Sequence, residues 1–249
     1  MSLKSLISHL TRYDKMSARF NALSEKSDTI IRQQHELLMA QKYHDTVADY
    51  EWLRQRSISP GGWAVDYAFC YTLARALNAM RPQHILECGL GQSSRIVHQY
   101  ANFYKIHAVT CEHDQEWIDF LRKEAGSNYP ITIKKVELEH VKYKGKETLS
   151  YKNIRSIFEG EKFDFMLIDG PFGAPHYSRP QAIELCKNNL AELFCIIIDD
   201  TERAGEKETV EEIKEILEKG GIEYAVTEYT STKSHTLICS KKLAFLSSL

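Results

Sequence analysis

The feature that most constrains the fold is an alternation of apolar, strand-like segments with amphipathic, helix-like segments over residues 84–220. Such alternation predicts a mainly parallel sheet with helices on both faces. The expected strands are 84–88, 106–112, 131–136, 163–169 and 194–199, and the expected helices are 93–104, 114–125, 180–190 and 206–219. Segment 137–162 is polar and less regular, with a short helix expected near 150–158.

The C-terminal part of the chain breaks this alternation. The stretch "YAVTEYTSTKSHTLICS" joins two strand-like segments, 222–229 and 234–240, through a short polar turn. We expect an antiparallel hairpin at the edge of the sheet.

Residues 1–58 form a separate N-terminal helical extension in our prediction. Residues 1–56 contain no glycine or proline, and their apolar residues recur at steps of three, four or seven. Ser17, Ser24 and Ser27 interrupt this pattern, which argues against one long coiled coil. Two interpretations stay open: the helices pack on the main domain, or they form a homodimer. The break "SPGGW" then opens a domain at 59–249, in which Trp63 is a core residue or lies beside a ligand.

Composition excludes several classes of protein. The 249 residues have a formal net charge of −2, which gives no reason to expect a nucleic-acid partner. No apolar run approaches the roughly 20 residues that span a bilayer, and no secretory signal is recognisable. None of the six cysteines is in a CxxC pair, so we expect reduced, buried thiols and a cytoplasmic protein.

Acidic residues end four of the first five predicted sheet strands. They are Glu87, Glu112, Asp169 and the pair Asp199 and Asp200. In open α/β sheets, ligands bind beyond the carboxyl ends of the strands. A single such acid can simply cap a helix or turn, but a carboxylate at the end of an apolar strand is costly without a partner. The complete set therefore favours a ligand site.

The glycine loop after the first strand argues for a ligand without phosphate. Gly89 and Gly91 fit the first two positions of G-x-G-x-x-G, but Ser94 occupies the third. Glu87 would repel a pyrophosphate and suits an amino group. The hydroxyls of Ser93 and Ser94, with the free N–H groups of the next helix, can receive a carboxylate. The loop therefore suits the amino-acid end of a ligand.

Glu112 lies 21 residues beyond Gly91, a spacing that suits an acid accepting from ribose hydroxyls. Dinucleotide-binding folds share this signal, so it does not discriminate between ligands.

Glu87-x-Gly89-x-Gly91, the acid at the tip of strand two, Asp169 and the terminal hairpin together resemble a class I S-adenosylmethionine-dependent methyltransferase. The resemblance covers about residues 60–240. It implies a seven-stranded sheet of order 3-2-1-4-5-7-6 with an antiparallel last strand, and an acceptor over strands four and five. The implied S-adenosylmethionine-binding residues are Glu87, Gly89, Leu90, Gly91, Ser93, Ser94, Glu112, His113 and Asp169.

Asp169, Asp199 and Asp200 also indicate a divalent metal site. They end neighbouring strands, and three carboxylates so close repel unless they are protonated or bridged by a cation. Mg²⁺ or another divalent cation would satisfy them, as in the catechol O-methyltransferase type that this arrangement resembles. A helix cap with one solvated acid is an equally open alternative for Asp199 and Asp200.

The chain departs from that type at one position. The lysine base of that type falls on Phe172 here, which leaves Asp169 and His176 as the catalytic candidates. The segment "DGPFG" resembles the DGPxG segment of glucuronoxylan glucuronic-acid methyltransferases and related bacterial sugar-modifying proteins.

The leading hypothesis is O-methylation of a small hydroxylated or saccharide acceptor. An NAD(P)-dependent oxidoreductase and a non-catalytic interaction protein of the same fold are the alternatives. Glu87 and Ser94 argue against the former, and the complete set of strand-end acids argues against the latter.

Overall fold

The computed structural model describes residues 3–54, 58–62, 64–125 and 132–248. Trp63 lies outside the described residues. The elements in chain order are α1 (Leu3–Thr46), α2 (Tyr67–Met80), β1 (His84–Cys88), α3 (Ser94–Tyr104), β2 (His107–Glu112), α4 (Gln115–Ala125), β3 (Thr132–Lys135), β4 (Leu138–Tyr143), β5 (Lys146–Tyr151), α5 (Ile154–Ile157), β6 (Phe163–Ile168), α6 (Gln181–Asn189), β7 (Leu190–Ile198), α7 (Ala204–Lys219), β8 (Tyr224–Thr230) and β9 (Ser234–Ser240). Short 3₁₀ helices span Val47–Asp49 and Lys241–Ser248.

Seven strands form the main sheet in the order β3-β2-β1-β6-β7-β9-β8. This confirms the predicted order, because β6 and β7 are the fourth and fifth sheet strands along the chain. The pairs from β3 to β7 are parallel, and β9 runs antiparallel to both β7 and β8. The order reverses between β1 and β6, where an open sheet forms a ligand crevice.

Alternate residues of each central strand face opposite sides of the sheet and build two cores. Ile85 packs with α2 and α3 on one side, whereas Leu86 packs with α5, α6 and α7 on the other. Tyr43, Val47 and Trp52 belong to the first core, so the end of the N-terminal extension shares the core of the main domain. All six cysteines are buried and free.

The N-terminal extension differs from the prediction. We expected several helices whose apolar pattern is interrupted at three serines, whereas α1 is one continuous helix of 44 residues. Ser17, Ser24 and Ser27 are exposed, so their hydroxyls reach water without leaving the helix. Serine has only a slightly lower helix propensity than apolar residues, and three serines are not enough to break a helix of this length.

The polar segment 137–162 also differs from the prediction, because it contains the antiparallel hairpin β4–β5. Residues 138–143 pair with residues 146–151 in this hairpin. Lys144 and Gly145 both have positive φ and make the tight turn. Tyr143 Oη donates to Glu212 of α7 at 2.8 Å, and Lys144 pairs with the same carboxylate. Helix α5 lies within the range expected for a short helix.

Among the described residues, no helix has the combination of length and apolar character needed to cross a bilayer.

Candidate functional site

A cavity of about 540 Å³ opens at the carboxyl edge of the sheet, at the reversal between β1 and β6. Its walls come from the loops after β1, β2, β6 and β7, the Gly61–Gly62 turn before α2, and the turn between β8 and β9. The residues that contribute chemistry to these walls are Gly89, Leu90, Gly91, Glu112, His113, Trp117, Tyr151, Asp169, Arg179, Asp200, Arg203 and Lys233. Most predicted ligand-binding residues therefore meet in one cavity.

The glycine loop after β1 is packed directly against the loop after β6. Gly89 has φ +101°, and a Cβ there would lie 2.9 Å from the backbone of Asp169 and Gly170. A Cβ on Gly170 would lie 2.7 Å from Gly89 Cα. Both positions therefore require glycine, and their contact joins the two halves of the cavity. Ser94 Oγ accepts from Gly91 N at 2.9 Å, which holds the loop at the start of α3.

Glu87 lies beneath the loop, completely buried. Its carboxyl group accepts from Ser93 Oγ at 3.1 Å and Thr110 Oγ1 at 2.8 Å. Burial raises the pKa of Glu87 to about 8, against the opposing effect of these hydroxyl donors. The nearby His98 is also buried, which lowers its imidazole pKa well below the usual value.

Three residues predicted to bind the amino-acid end of a ligand are therefore used within the protein. Glu87, Ser93 and Ser94 do not belong to the described residues that line the cavity. Their side chains support the loop from below, because the Glu87 side chain points into the sheet–helix interface rather than towards the strand end. The loop presents backbone to the cavity at Gly89, Leu90 and Gly91 instead.

Glu112 lies at the tip of β2 and lines the cavity, as predicted. Its carboxylate accepts from Leu90 N at 3.1 Å and Asp114 N at 2.9 Å, so it also fixes the glycine loop. Trp117 Nε1 donates to Leu90 O at 2.6 Å, and the His113 ring packs edge-on against Phe172 with centroids 4.9 Å apart. This end of the cavity combines an acceptor carboxylate with aromatic walls.

Asp169, Asp199 and Asp200 meet at the other end of the cavity, with carboxylate oxygens within 4.8 Å of one another. The parallel pairing of β6 and β7 aligns Ile168 with Ile198 and so brings the two strand ends together. Asp199 and Asp200 are almost completely buried, whereas the Asp169 side chain is 22% exposed. The predicted clustering of the three acids is confirmed.

Arg179 organises this acidic cluster, and sequence reasoning missed it. Arg179 is 3% exposed, and its guanidinium donates to Asp200 Oδ2 at 2.7 Å and to Asp169 Oδ1 at 3.5 Å. It also donates to the backbone carbonyls of Pro171, Ile168 and Asp199. The one available signal was an arginine between the two acid-bearing strands, in "YSRP", and that signal is weak.

Two further cations face Asp200. Arg203 Nη1 lies 3.0 Å from Asp200 Oδ2, and Lys233 Nζ lies 3.6 Å from Asp200 Oδ1. Lys233 reaches the site because Asp66, the N-cap of α2, accepts from its backbone N–H at 3.1 Å and so holds the turn between β8 and β9.

Burial and repulsion between carboxylates raise the pKa values of Asp169 and Asp199. Burial raises the pKa of Asp199 well above its usual value, and Asp169 and Asp200 add to the shift. Burial raises the pKa of Asp169 to about 6, while Arg179 opposes the shift. With a pKa of about 6, Asp169 is largely ionised at neutral pH.

The donor set partly fits a divalent ion. Three carboxyl groups converge, and Asp199 Oδ2 and Asp200 Oδ1 are buried without a hydrogen-bond partner. Arg179, Arg203 and Lys233 nevertheless bring three positive charges to the same carboxyl groups, and a guanidinium in contact with two of them repels a metal ion. The charge balance does not require a metal, so the metal site stays a prediction.

His176, the second catalytic candidate, lies beside α7 and not at the acidic cluster. Its Nδ1 is 3.0 Å from Glu208 Oε1 of α7, and the residue is not among those described as lining the cavity. The loop after β6 turns His176 towards α7, so the geometry does not support its predicted role as a base.

Comparisons with known proteins leave the family open. No family model matches the chain, and no curated protein matches it. Similar solved structures include a Podospora anserina methyltransferase bound to S-adenosylhomocysteine (TM-score 0.48, 16% identity, 82% of this chain and 87% of that chain). A Pyrococcus furiosus methyltransferase has a TM-score of 0.44 and 16% identity, over 84% of this chain and 98% of that chain. The plantazolicin methyltransferase in complex with S-adenosylhomocysteine gives a TM-score of 0.41 and 14% identity, over 81% and 88%. Similarity at this level does not establish a function.

Proposed function

We propose that this chain is an S-adenosylmethionine-dependent methyltransferase that methylates an oxygen of a small hydroxylated or saccharide acceptor. The main support for the proposal is that the two ends of one cavity differ in chemistry. A glycine loop without a phosphate-binding third glycine forms one end with Glu112, and a polar cluster around Asp169 forms the other. Contact between Gly89 and Gly170 joins them.

The cofactor end would hold S-adenosylmethionine through groups that the chain already orients. The backbone of Gly89, Leu90 and Gly91 would face the methionine part, supported from below by Glu87, Ser93 and Ser94. Glu112 would accept from the ribose hydroxyls, and His113 and Trp117 would border the adenine. When bound, the sulfonium supplies an electrophilic methyl group.

The acceptor end would supply position and a base. Asp169 faces the cavity and is largely ionised at neutral pH, so it can accept the proton of an acceptor hydroxyl as the methyl group is transferred. Arg179 and Lys233 hold the neighbouring Asp200, and this fixes the cluster before the acceptor arrives. Orientation of the two reacting groups supplies the rest of the acceleration.

Calorimetric titration tests the proposal against the oxidoreductase alternative. We expect S-adenosylhomocysteine to bind the purified chain and NAD⁺ or NADP⁺ to give no heat of binding. Glu112→Gln should weaken S-adenosylhomocysteine binding by roughly 10- to 100-fold, the usual loss for a hydrogen bond to a charged group. Glu139→Gln, an exchange in the β4–β5 hairpin away from the cavity, is the matched control. Absence of S-adenosylhomocysteine binding would refute the proposal.

A further inference from the structure

The long helix α1 carries an apolar surface that the described part of the molecule leaves uncovered. Six large side chains on it are 53–72% exposed: Tyr13, Met16, Phe20, Leu23, Ile30 and Leu37. We call this surface the α1 stripe. Monomeric soluble proteins rarely expose contiguous apolar patches of several hundred Å², and larger ones usually mark an interaction site.

The spacing of the α1 stripe is that of a coiled coil. Its members recur at steps of three, four and seven, with Tyr13 and Phe20 at a positions and the other four at d positions of one heptad register. Ser27 and Gln34 occupy the next two a positions. Ile31 and Leu38, 59% and 48% exposed, widen the stripe at e.

The domain of the same chain is attached to the opposite face of α1. Glu36 of α1 accepts from Tyr67 N at 2.7 Å and from Ser231 Oγ at 2.8 Å, and Met39 and Tyr43 are buried in the same region. These residues occupy c and f positions, across the helix from a and d. Leu37 is 72% exposed only two residues before Met39, which is 7% exposed. The rigid attachment of α1 therefore turns the stripe away from its own domain.

We propose that the α1 stripe pairs with α1 of a second copy of this chain in a parallel, two-stranded coiled coil. Eight large side chains at about half to three-quarters exposure offer on the order of 100 Å² each, hence roughly 800 Å² per chain. That is about the area per partner of a standard specific interface. Because each domain lies on the outer face of its helix, both domains fit around the central pair.

The charges on α1 favour a second helix over a membrane surface. Residues 13–33 carry four basic and three acidic side chains, whereas membrane-surface helices concentrate Lys and Arg on the polar face. They also favour the parallel orientation. Arg19 and Lys26 occupy g positions. In an antiparallel pair the g positions of the two helices face each other, which would bring these positive charges together. In a parallel pair they face e positions of the partner helix, such as Ser24.

The first test is the molar mass of the full chain in solution, measured by light scattering and sedimentation equilibrium. We expect a dimer for the wild type and a monomer for Phe20→Glu/Leu23→Glu. The control Ala18→Glu/Ala22→Glu adds the same charge at f and c positions of the same turns and should stay dimeric. A monomeric wild type, or a dimer that survives Phe20→Glu/Leu23→Glu, would overturn the proposal.

Orientation is tested by cross-linking. The native cysteines are all buried, so Leu23→Cys introduces one accessible thiol. In a parallel pair the two copies of residue 23 share a d layer, and mild oxidation should give a covalent dimer that reducing agent reverses. Ala22→Cys, on the outer face, should not cross-link. A non-covalent dimer in which Leu23→Cys fails to cross-link would contradict the parallel arrangement.

Discussion

Asp169 is the carboxyl of the acidic cluster that both reaches the cavity and titrates near neutrality. Its pKa is raised to about 6, mainly by burial, and a base must be unprotonated to act. The kcat/KM of the proposed methyl transfer should therefore fall as pH falls through about 6 and level off from about one pH unit above it. Asp169→Asn should lower kcat by about 100-fold or more, with S-adenosylhomocysteine affinity retained. A flat pH profile of kcat/KM between pH 5 and 7 would contradict this assignment.

Arg179 gives a second prediction at the residue scale, about the cation that stabilises the cluster. Arg179→Met should lower the free energy of unfolding by up to about 3–5 kcal/mol, because the buried Asp200 carboxylate loses its most buried cation and keeps only Arg203 and Lys233. Arg155→Met removes an exposed arginine, whose ion pair with Glu184 is 3.9 Å long, and should change stability by less than about 1 kcal/mol.

Urea unfolding with EDTA and with Mg²⁺ measures whether a metal contributes to the same cluster. If Arg179, Arg203 and Lys233 are enough to stabilise the three acids, the midpoint of wild-type unfolding should be the same in both solutions. A wild-type midpoint that rises with Mg²⁺ and falls with EDTA would instead support the divalent ion predicted from sequence at Asp169, Asp199 and Asp200.

At the scale of elements, the contact between the loops after β1 and β6 predicts different effects for substitutions at two glycines. One should lower stability, and the other should weaken ligand binding. Gly89→Ala places a methyl group 2.9 Å from backbone and requires φ +101°, so we expect at least about 1–2 kcal/mol lower stability. A Cβ on Gly91 would meet nothing within 4 Å, yet Gly91 lines the cavity. Gly91→Ala should keep the unfolding midpoint and lose roughly tenfold in S-adenosylhomocysteine affinity. Equal stability of the two variants would contradict the inferred loop contact.

The same scale shows where sequence patterns predict an element and where they do not. Strands β1 and β9 have their predicted bounds, because each contains a short apolar run with polar residues on both sides. Hairpin β4–β5 lies outside the main sheet, and its half-exposed residues mix charged and apolar types without a clear period of two. Its turn, Lys144–Gly145, is not one of the strongest hairpin signals. The sequence did not predict the continuity of α1, because three exposed serines interrupt its apolar pattern without ending the helix.

At the scale of the whole molecule, the sheet order and the meeting of the strand-end acids could be predicted, because parallel strands carry their carboxyl ends to one edge. The positions of the cations Arg179 and Lys233 could not be predicted. Arg179 precedes α6, and Lys233 lies in the turn of a distant hairpin, so their positions depend on how long connections fold back. The buried partners of Glu87 could not be predicted either. A strand pattern gives the face on which a residue lies but not the side chains that it contacts there.

The pH dependence of global stability gives the last prediction, through Glu87. Its pKa is about 8 in the folded protein and about 4.5 in the unfolded chain, so the folded state retains a proton that the unfolded state has lost between these values. The free energy of unfolding attributable to Glu87 therefore falls as pH rises from about 4.5 to 8, by at most about 5 kcal/mol. Glu87→Gln keeps a neutral group and should remove this fall. Urea unfolding of both proteins at pH 5, 7 and 9 measures it: we expect the variant to gain stability relative to wild type at each step up to about pH 8. A constant difference across this range would mean that Glu87 is ionised in the folded protein, and would return its carboxylate to the predicted role beside a ligand amino group.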